Sequence, residues 1–221
     1  MNQTPHDAPQ NPAPRAFPTW RSPRAWTVVI AVTALSAALD LWSKAVAFER
    51  VAGRAVAVSR EEVLATGPRG LSGLIPPHAP VRVVPGWLDL TLVLNPGAVF
   101  GIGAGQRWFF ITFTVAACVA GLLMFARWTL PRQWSAHAGI GLILGGGLGN
   151  LYDRLQFACV RDFLHPLPGA RLPWGWVWPW GGREVWPYVS NVADALLIVG
   201  VAMLAWRALR QDHRHTSPRS V

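Results

Sequence analysis

The sequence predicts an integral membrane protein, mainly α-helical, built on a bundle of four transmembrane helices. Three observations indicate this class. Hydrophobic residues make up 52% of the 221 residues and charged residues only 14%, whereas soluble domains carry nearer a quarter charged. The apolar residues are concentrated in stretches of about 20 residues, the length that crosses the hydrocarbon core of a bilayer. Thirteen tryptophans are present, and tryptophan favours the membrane–water interface.

The four predicted spans differ in character. They cover residues 26–48, 108–128, 134–152 and 191–209. Asp40 and Lys44 interrupt the first span, whereas the third is rich in glycine. Small residues let neighbouring helices approach closely, so the glycine run at 145–149 is interpreted as a packing surface. We expect residues 26–209 to form one membrane domain, with a disordered cytoplasmic tail at 1–25 and a second cytoplasmic tail at 210–221.

Basic residues predict the orientation of these spans. The formal net charge is +9, and arginines precede the first span, occupy the short connection between the second and third, and follow the fourth. Arginine and lysine concentrate on the cytoplasmic side, so both termini are predicted inside and the connections 49–107 and 153–190 outside. A basic excess also suits anionic lipid. No nucleic-acid-binding motif is present, so no nucleic acid partner is expected.

The outer connections contain more than linkers. Residues 81–84 and 87–94 alternate partly and are rich in β-branched side chains, which indicates short strands. A third strand is predicted within 157–164. Residues 166–188 form a loop rich in tryptophan, proline and glycine, with no helical period.

Polar residues gather at the predicted outer end of every span. Asp40 and Lys44 are four apart, share a helix face and are expected to pair. Asp153 and its neighbour Arg154 are interpreted as a second structural pair. An acid in or near hydrocarbon is costly and normally faces the bundle interior or water. Polar residues from several spans at one level therefore indicate a functional site.

Two of the acids differ from the rest. Asp162 and Asp194 have no cation at helical spacing, although Arg161 adjoins Asp162. Two carboxylates that lie close together can share one proton, because like charges resist joint ionisation. One can then act as a base on water while the other donates a hydrogen bond to a carbonyl. The sequence alone does not establish that the two meet.

Other functions remain open at this stage. A proton-coupled transporter also carries intramembrane acids, but these should be spread along its depth. A non-catalytic scaffold would have every acid paired. A serine mechanism is poorly supported, since Ser43 and Lys44 are adjacent on a helix and point in different directions. The six histidines contain no zinc-binding pattern and the two cysteines no framework, so no metal and no cofactor are expected.

Five ordered polar motifs resemble those of the bacterial lipoprotein signal peptidases (signal peptidase II). The family pattern Asp-x-x-Ser/Thr-Lys matches residues 40–44, Asn-x-Gly-Ala-x-Phe 95–100, Gly-Asn-x-x-Asp-Arg 149–154, Val-x-Asp-Phe 160–163 and Phe-Asn-x-Ala-Asp 190–194. Two departures are present. Ser190 stands where the family has phenylalanine, and the loop at 166–188 is longer than is typical of the family.

The resemblance implies roles for individual residues. Asp162 and Asp194 would form the catalytic dyad. The substrate site would be lined by Asn95, Gly97, Asn150, Arg154, Asn191 and Ala193. Asp40, Lys44 and Asp153 would support it. In the family, the outer strands form a small extracytoplasmic β-cradle beside the bilayer, accompanied by a short surface helix.

The resemblance also implies an activity. We expect a membrane-embedded aspartyl endopeptidase that removes signal peptides from diacylglyceryl-modified prolipoproteins, cutting on the amino side of the lipidated cysteine. The site would lie near the outer face of a bacterial cytoplasmic (inner) membrane. Expected partners are lipid-modified prolipoproteins and membrane lipids, and a monomer is expected. Which aspartate holds the proton, and what the loop at 166–188 does, stay undetermined.

Overall fold

The computed structural model describes residues 18–97, 106–179 and 181–216, with side chains as far as Arg210 in the last range. Residues 1–17 of the tail predicted at 1–25, residues 217–221 of the tail predicted at 210–221, and the end of the second motif at 98–100 lie outside the described residues. The helices are α1 (Pro23–Arg50), α2 (Arg60–Thr66), α3 (Arg107–Trp128), α4 (Trp134–Gln156) and α5 (Val192–Thr216). The strands are β1 (Val81–Val84), β2 (Leu88–Asn95) and β3 (Val160–Pro166).

The four long helices coincide with the four predicted spans and extend beyond several of them. Helix α1 begins three residues before the predicted start, because Ser22 caps it: the Ser22 hydroxyl accepts a hydrogen bond from the Ala25 N–H. Pro23 then occupies the first turn, where its missing N–H costs nothing. Helix α4 runs four residues past the predicted end at 152, which brings Asp153 and Arg154 onto its last turn.

Helix α4 lies at the centre of the bundle, packed against α1, α3 and α5. Its glycines make this possible, as the sequence predicted. A β-carbon added at Gly141 would lie 2.8 Å from Cβ of Val32 in α1, and one at Gly146 would lie 2.6 Å from the Ala193 carbonyl oxygen in α5. One at Gly145 would collide with Ser36. Alanine at these positions would push the helices apart, because such contacts are shorter than real Cβ atoms allow.

The protein is a mainly helical membrane protein. Within the described residues, three helices are long and apolar enough to cross a membrane: α1, α3 and the Val192–Arg210 part of α5. Helix α4 is of similar length but is not among them. Its composition follows from its position, since a helix surrounded by three others can carry glycine and polar residues that lipid would exclude.

The strands form one antiparallel sheet in the order β1–β2–β3, close to the predicted segments. A bulge between Leu90 and Val93 shifts the β2–β3 register and sets Val93 opposite Asp162. A hydrophobic core joins the sheet to the end of α1, the short helix α2 and the chain before β3. Its largest members include Phe48, Val63, Leu71, Leu92, Leu94 and Phe163. This core fixes the sheet against the bundle and so sets the position of Asp162.

The loop predicted at 166–188 is folded as a hairpin, which we call the tryptophan hairpin (residues 167–189). Its arms are joined by backbone hydrogen bonds from the Leu172 N–H to the Arg183 carbonyl, 2.7 Å, and from the Val185 N–H to the Ala170 carbonyl, 2.8 Å. At its base, Ser190 exchanges backbone hydrogen bonds with Leu164 of β3. The hairpin therefore leaves β3 just after Asp162 and returns just before α5.

Candidate active site

Asp162 and Asp194 come from different elements and meet at the junction of sheet and bundle. Asp162 lies in β3, and its side chain is almost completely buried. Asp194 lies in the first turn of α5, where it forms a capping box with Asn191: the Asp194 N–H donates to Asn191 Oδ1, 3.1 Å, and the Asn191 N–H donates to Asp194 Oδ2, 3.2 Å. This reciprocal arrangement satisfies two N–H groups at the helix start, and it fixes the Asp194 carboxylate.

Three asparagine amides hold the two carboxylates. Asn95 Nδ2 donates to Asp162 Oδ2, 3.0 Å, and Asn191 Nδ2 donates to Asp162 Oδ1, 2.6 Å. Asn150 Nδ2 donates to Asp194 Oδ1, 3.0 Å. Asn191 touches both acids, so it links the pair directly.

The orientation of each amide is fixed by what its oxygen accepts. Asn95 Oδ1 accepts from the Gly97 N–H, 3.0 Å, and Asn191 Oδ1 accepts from the Asp194 N–H. Asn150 Oδ1 accepts from the Lys44 ammonium, 2.9 Å, and from the Asn191 amide, 3.1 Å. Backbone N–H groups and ammonium groups can only donate, so every one of these NH₂ groups must face a carboxylate.

A second set of acids is paired with cations instead. Lys44 Nζ lies 2.7 Å from Asp40 Oδ2 and 3.4 Å from Asp153 Oδ2, and all three side chains are fully buried. Arg161 Nη2 lies 2.8 Å from Asp153 Oδ1, and the Arg161 N–H donates to Asp153 Oδ2, 2.9 Å. The Asp40–Lys44 pair is the one expected from the spacing.

The expected pair of Asp153 with Arg154 is wrong. Consecutive residues of a helix diverge by about 100°, and Asp153 points into the bundle towards Lys44 and Arg161. Arg154 instead donates to the Asn150 and Gly97 carbonyls, at 3.3 and 3.1 Å, and its guanidinium lies 5.2 Å from the centre of the Phe110 ring. Sequence reasoning missed Arg161 as the partner of Asp153, since nothing in the spacing connects β3 to the end of α4.

The remaining expected site residue, Ala193, is fully buried. Its N–H donates to Asp40 Oδ1, 2.8 Å, and its carbonyl packs against Gly146. Ala193 lines neither of the cavities described next. It therefore joins α5 to the Asp40–Lys44 pair through its backbone.

Two open cavities of about 510 Å³ each meet at the two aspartates. Asn95, Asp162, Asp194 and Leu197 line both. The first cavity is walled by the base of the tryptophan hairpin, residues 186–190, and by Leu197 and Ile198 of α5. The second is walled by aromatic residues of α3 and by Gly97, Asn150, Arg154 and Asn191. Apart from Ala193, every residue expected to line the substrate site therefore borders a cavity.

The environment of Asp162 favours its protonated form. Burial, together with the negative charge of Asp194, raises the pKa of Asp162 to about 7, against the opposing effect of the hydrogen bonds from Asn95 and Asn191. Within the described residues, neither Asp162 nor Asp194 lies in an ion pair. Near neutral pH, the pair can hold one proton and one negative charge, which is the state that acid–base catalysis requires.

Cys159 lies close to the same cluster and offers no nucleophile. Burial, assisted by the nearby charge of Asp153, raises the pKa of its thiol to about 12. A thiol must ionise to attack, so Cys159 stays inert at neutral pH.

Helical membrane fold, buried carboxylates and adjoining cavities together define a class of protein, the membrane-embedded aspartic peptidases. The comparisons with known proteins identify the family. The model of the signal peptidase (SPase) II family matches residues 32–210, most of the chain, and the chain belongs to that family. It is thus an aspartic peptidase with lipoprotein signal peptidase activity, and the transporter and scaffold interpretations are excluded.

Similar proteins agree with this assignment. A lipoprotein signal peptidase of Desulfitobacterium hafniense (strain DSM 10664 / DCB-2) is 39% identical over 135 residues, 61% of this chain and 77% of the relative. One from Syntrophotalea carbinolica (strain DSM 2380 / NBRC 103641 / GraBd1) is 38% identical over 141 residues, 62% and 78% of the two chains. A solved bacterial membrane enzyme shares the fold with a TM-score of 0.59 at 22% identity, covering 87% of this chain and 93% of its own.

Proposed function

We propose that Asp162 and Asp194 are the catalytic dyad with which this signal peptidase cuts diacylglyceryl-modified prolipoproteins on the amino side of the lipidated cysteine. One observation carries the proposal. Asn191 hydrogen-bonds to both carboxylates, and both line both cavities, so a peptide crossing from one cavity to the other would pass over the pair.

The proposed chemistry uses one proton held by the pair. Asp162 carries it near neutral pH, because burial and the charge of Asp194 raise its pKa to about 7. Asp194 takes a proton from a water molecule as the water oxygen attacks the scissile carbonyl, while Asp162 donates its proton to the carbonyl oxygen. Collapse of the tetrahedral intermediate breaks the C–N bond. Asp194 gives the proton it took from water to the leaving nitrogen, and Asp162 regains its proton from a hydroxyl of the intermediate as the carbonyl re-forms.

The cavity walls support a division of the substrate between them. Arg154 and Gly97 line the second cavity, and Arg154 donates a hydrogen bond to the Gly97 carbonyl. We assign both residues to binding the substrate backbone. The aspartates accept hydrogen bonds from the NH₂ groups of Asn95, Asn150 and Asn191. We therefore assign these asparagines to positioning the dyad. The first cavity is lined mainly by apolar residues from the end of β2, the base of the tryptophan hairpin and α5, which suits an apolar part of the substrate. The proposed partners of the protein are membrane lipids and lipidated prolipoproteins. We propose that it acts as a monomer.

The proposed topology has four spans, with α4 as the fourth membrane helix. Both termini then lie in the cytoplasm of a bacterial cell, and the dyad lies near the outer face of the cytoplasmic (inner) membrane. The sheet and α2 form the outer β-cradle and surface helix, on a membrane domain of residues 26–209 with tails at 1–25 and 210–221. The scissile bond of a lipid-anchored precursor would lie at that level, where water is available.

The test is the isosteric pair of variants Asp162→Asn and Asp194→Asn. Each should lower kcat for a purified lipidated precursor by at least about a thousandfold, the range of positioned acid–base catalysis, while the protein still inserts and folds. Asp89→Asn is the matched control, a buried acid of β2 outside both cavities, and should retain activity. Cleavage should also persist in EDTA. Full activity in either dyad variant would contradict the assignment.

A further inference from the structure

Residues 173–177 of the tryptophan hairpin, which we call its tip, form a surface that is unusual for contact with water. Trp174, Trp176 and Val177 are 84%, 64% and 56% exposed, and the two indole rings lie 5.6 Å apart. The family resemblance and the dyad leave these residues without a role. Exposed apolar clusters of this kind normally mark a contact with a membrane, another protein or a ligand.

The backbone at the tip strengthens this point. Trp174 has φ of 55°, in the left-handed region, which is strained for an L-residue other than glycine. Gly175 follows with φ of 76°. Glycine at position 174 would remove both the strain and the exposed indole. A bulky residue kept in a strained conformation and in solvent indicates a function for its side chain.

The hairpin is held firmly enough to present the tip. Trp178 is half-buried, and its indole N–H donates to the Glu184 carbonyl, 2.8 Å. The Arg183 guanidinium lies against Gly175, so a positive charge lies beside the residue that separates the two exposed tryptophans in the chain. Indoles flanked by arginine favour the membrane interface, where the ring reaches the acyl boundary and the cation reaches lipid phosphate.

The hairpin is also continuous with the membrane part of the molecule. Its second arm runs into α5, whose Val192–Arg210 part is a candidate span, and its start is bonded to the β1–β2 turn through Leu167 N–H and the Trp87 carbonyl, 2.8 Å. Trp87 is itself 70% exposed. The exposed Trp87 therefore adjoins the start of the tryptophan hairpin, and the end of that hairpin leads directly into a candidate membrane helix.

We propose that the tip of the tryptophan hairpin inserts into the headgroup region of the outer leaflet and binds phospholipid there. The base of the same hairpin, residues 186–190, is a wall of the first cavity. Anchoring the tip therefore fixes that wall relative to the membrane surface, and so sets the depth at which a lipid-anchored substrate meets the dyad. The inference depends on the proposed orientation but not on the identity of the catalytic residues.

The test places a fluorescent probe at residue 177, directly after Trp176 in the hairpin. Val177→Cys, in a Cys118→Ala background, keeps both tryptophans and is labelled with an environment-sensitive nitrobenzoxadiazole dye. The full chain is reconstituted in nanodiscs of phosphatidylethanolamine and phosphatidylglycerol. A nitroxide on the lipid headgroup should quench the dye, whereas iodide in the water should not. Retained precursor cleavage checks that the labelled protein is folded.

Three variants in this background decide the interpretation. Trp174→Gly with Trp176→Ser should abolish quenching by lipid and restore quenching by iodide, with unchanged thermal stability because the strain at position 174 is relieved. Trp128→Ala, which removes an indole 80% exposed at the end of α3, should leave the lipid quenching intact. Asp162→Asn should leave it intact too, which separates this inference from the dyad assignment.

The opposite pattern overturns the inference. If iodide quenches the dye and lipid nitroxide does not, the tip lies in water. If lipid quenching appears only after a precursor is added, the tip binds substrate and not membrane. If lipid nitroxide quenches the dye in the double tryptophan variant as strongly as in the parent, the indoles do not anchor the hairpin.

Discussion

Two pairs of aspartates lie in one polar cluster, and they differ in what holds them. Asp40 and Asp153 are bound by Lys44 and Arg161, at 2.7 to 3.4 Å, and line neither of the two cavities. Asp162 and Asp194 are held by asparagine amides and open onto both cavities. A cation fixes a carboxylate in its charged form, whereas an amide orients it and leaves it free to exchange a proton. Under the proposed assignment, this difference in partners separates the supporting aspartates from the catalytic pair.

The sharpest way to test this contrast is to remove a scaffold charge. Asp153→Asn leaves Arg161 and Lys44 buried without their shared partner, and breaking a buried pair in this way costs about 3–5 kcal/mol. We expect a large fall in the thermal midpoint of unfolding in detergent, with residual cleavage by the molecules that remain folded. Asp162→Asn should cause the reverse, loss of cleavage with stability retained. A stable, inactive Asp153→Asn protein would abolish the distinction.

The pH dependence tests the other side of the contrast. The pKa of Asp162 is about 7, so its proton is bound below that pH and lost above it. Above about pH 7, kcat/KM should therefore decrease with a limiting slope of about tenfold per pH unit. The same shift means that the folded state binds this proton more tightly than the unfolded chain. Stability from this group therefore declines as pH rises from about 4 to about 7. Cleavage assays and thermal unfolding across this range measure both.

A partner of Asp162 provides the control for this assignment. Asn95 donates to Asp162 Oδ2 and lowers its pKa, so Asn95→Ala should move the alkaline limb to higher pH. The observed values belong to the pair of carboxylates. A limb that stays in place, or moves to lower pH, would show that Asp162 is not the group that titrates.

The smallest expected change in stability concerns Asn191, which caps α5 and also holds both carboxylates of the proposed dyad. Asn191→Ala removes the helix cap and should cost about 1 kcal/mol of stability, together with most of the activity. Asn191→Ser can cap the helix but lacks the NH₂ group that reaches Asp162. It should therefore restore stability without restoring kcat. Recovery of both by serine would mean that Asn191 acts on the reaction only through the cap.

Much of this arrangement was predictable from the sequence, because it depends on the spacing of residues that are close together in the chain. The Asp40–Lys44 pair lies within one helix, the strands follow alternation, and the glycine run of α4 indicates close packing. The partner of Asp153 was not predictable, since Arg161 approaches it from a strand eight residues later. The orientation of the amides was equally out of reach, because each depends on donors from other elements. The hairpin within 166–188 has a composition typical of a loop, and only its backbone pairing reveals two arms.

The central position of α4 has a consequence for how the enzyme is made. In the proposed four-span arrangement, α4 is the least apolar membrane helix, and it is surrounded by neighbours. During synthesis α1 and α3 emerge before it and α5 after it, so α4 depends on two helices already in place and on one still to come. Asp194 and Asn191 arrive only with that last helix. With Asp194 in the proposed dyad, a nascent chain would have no complete active site until its final span has docked, which would prevent cleavage by partly assembled molecules.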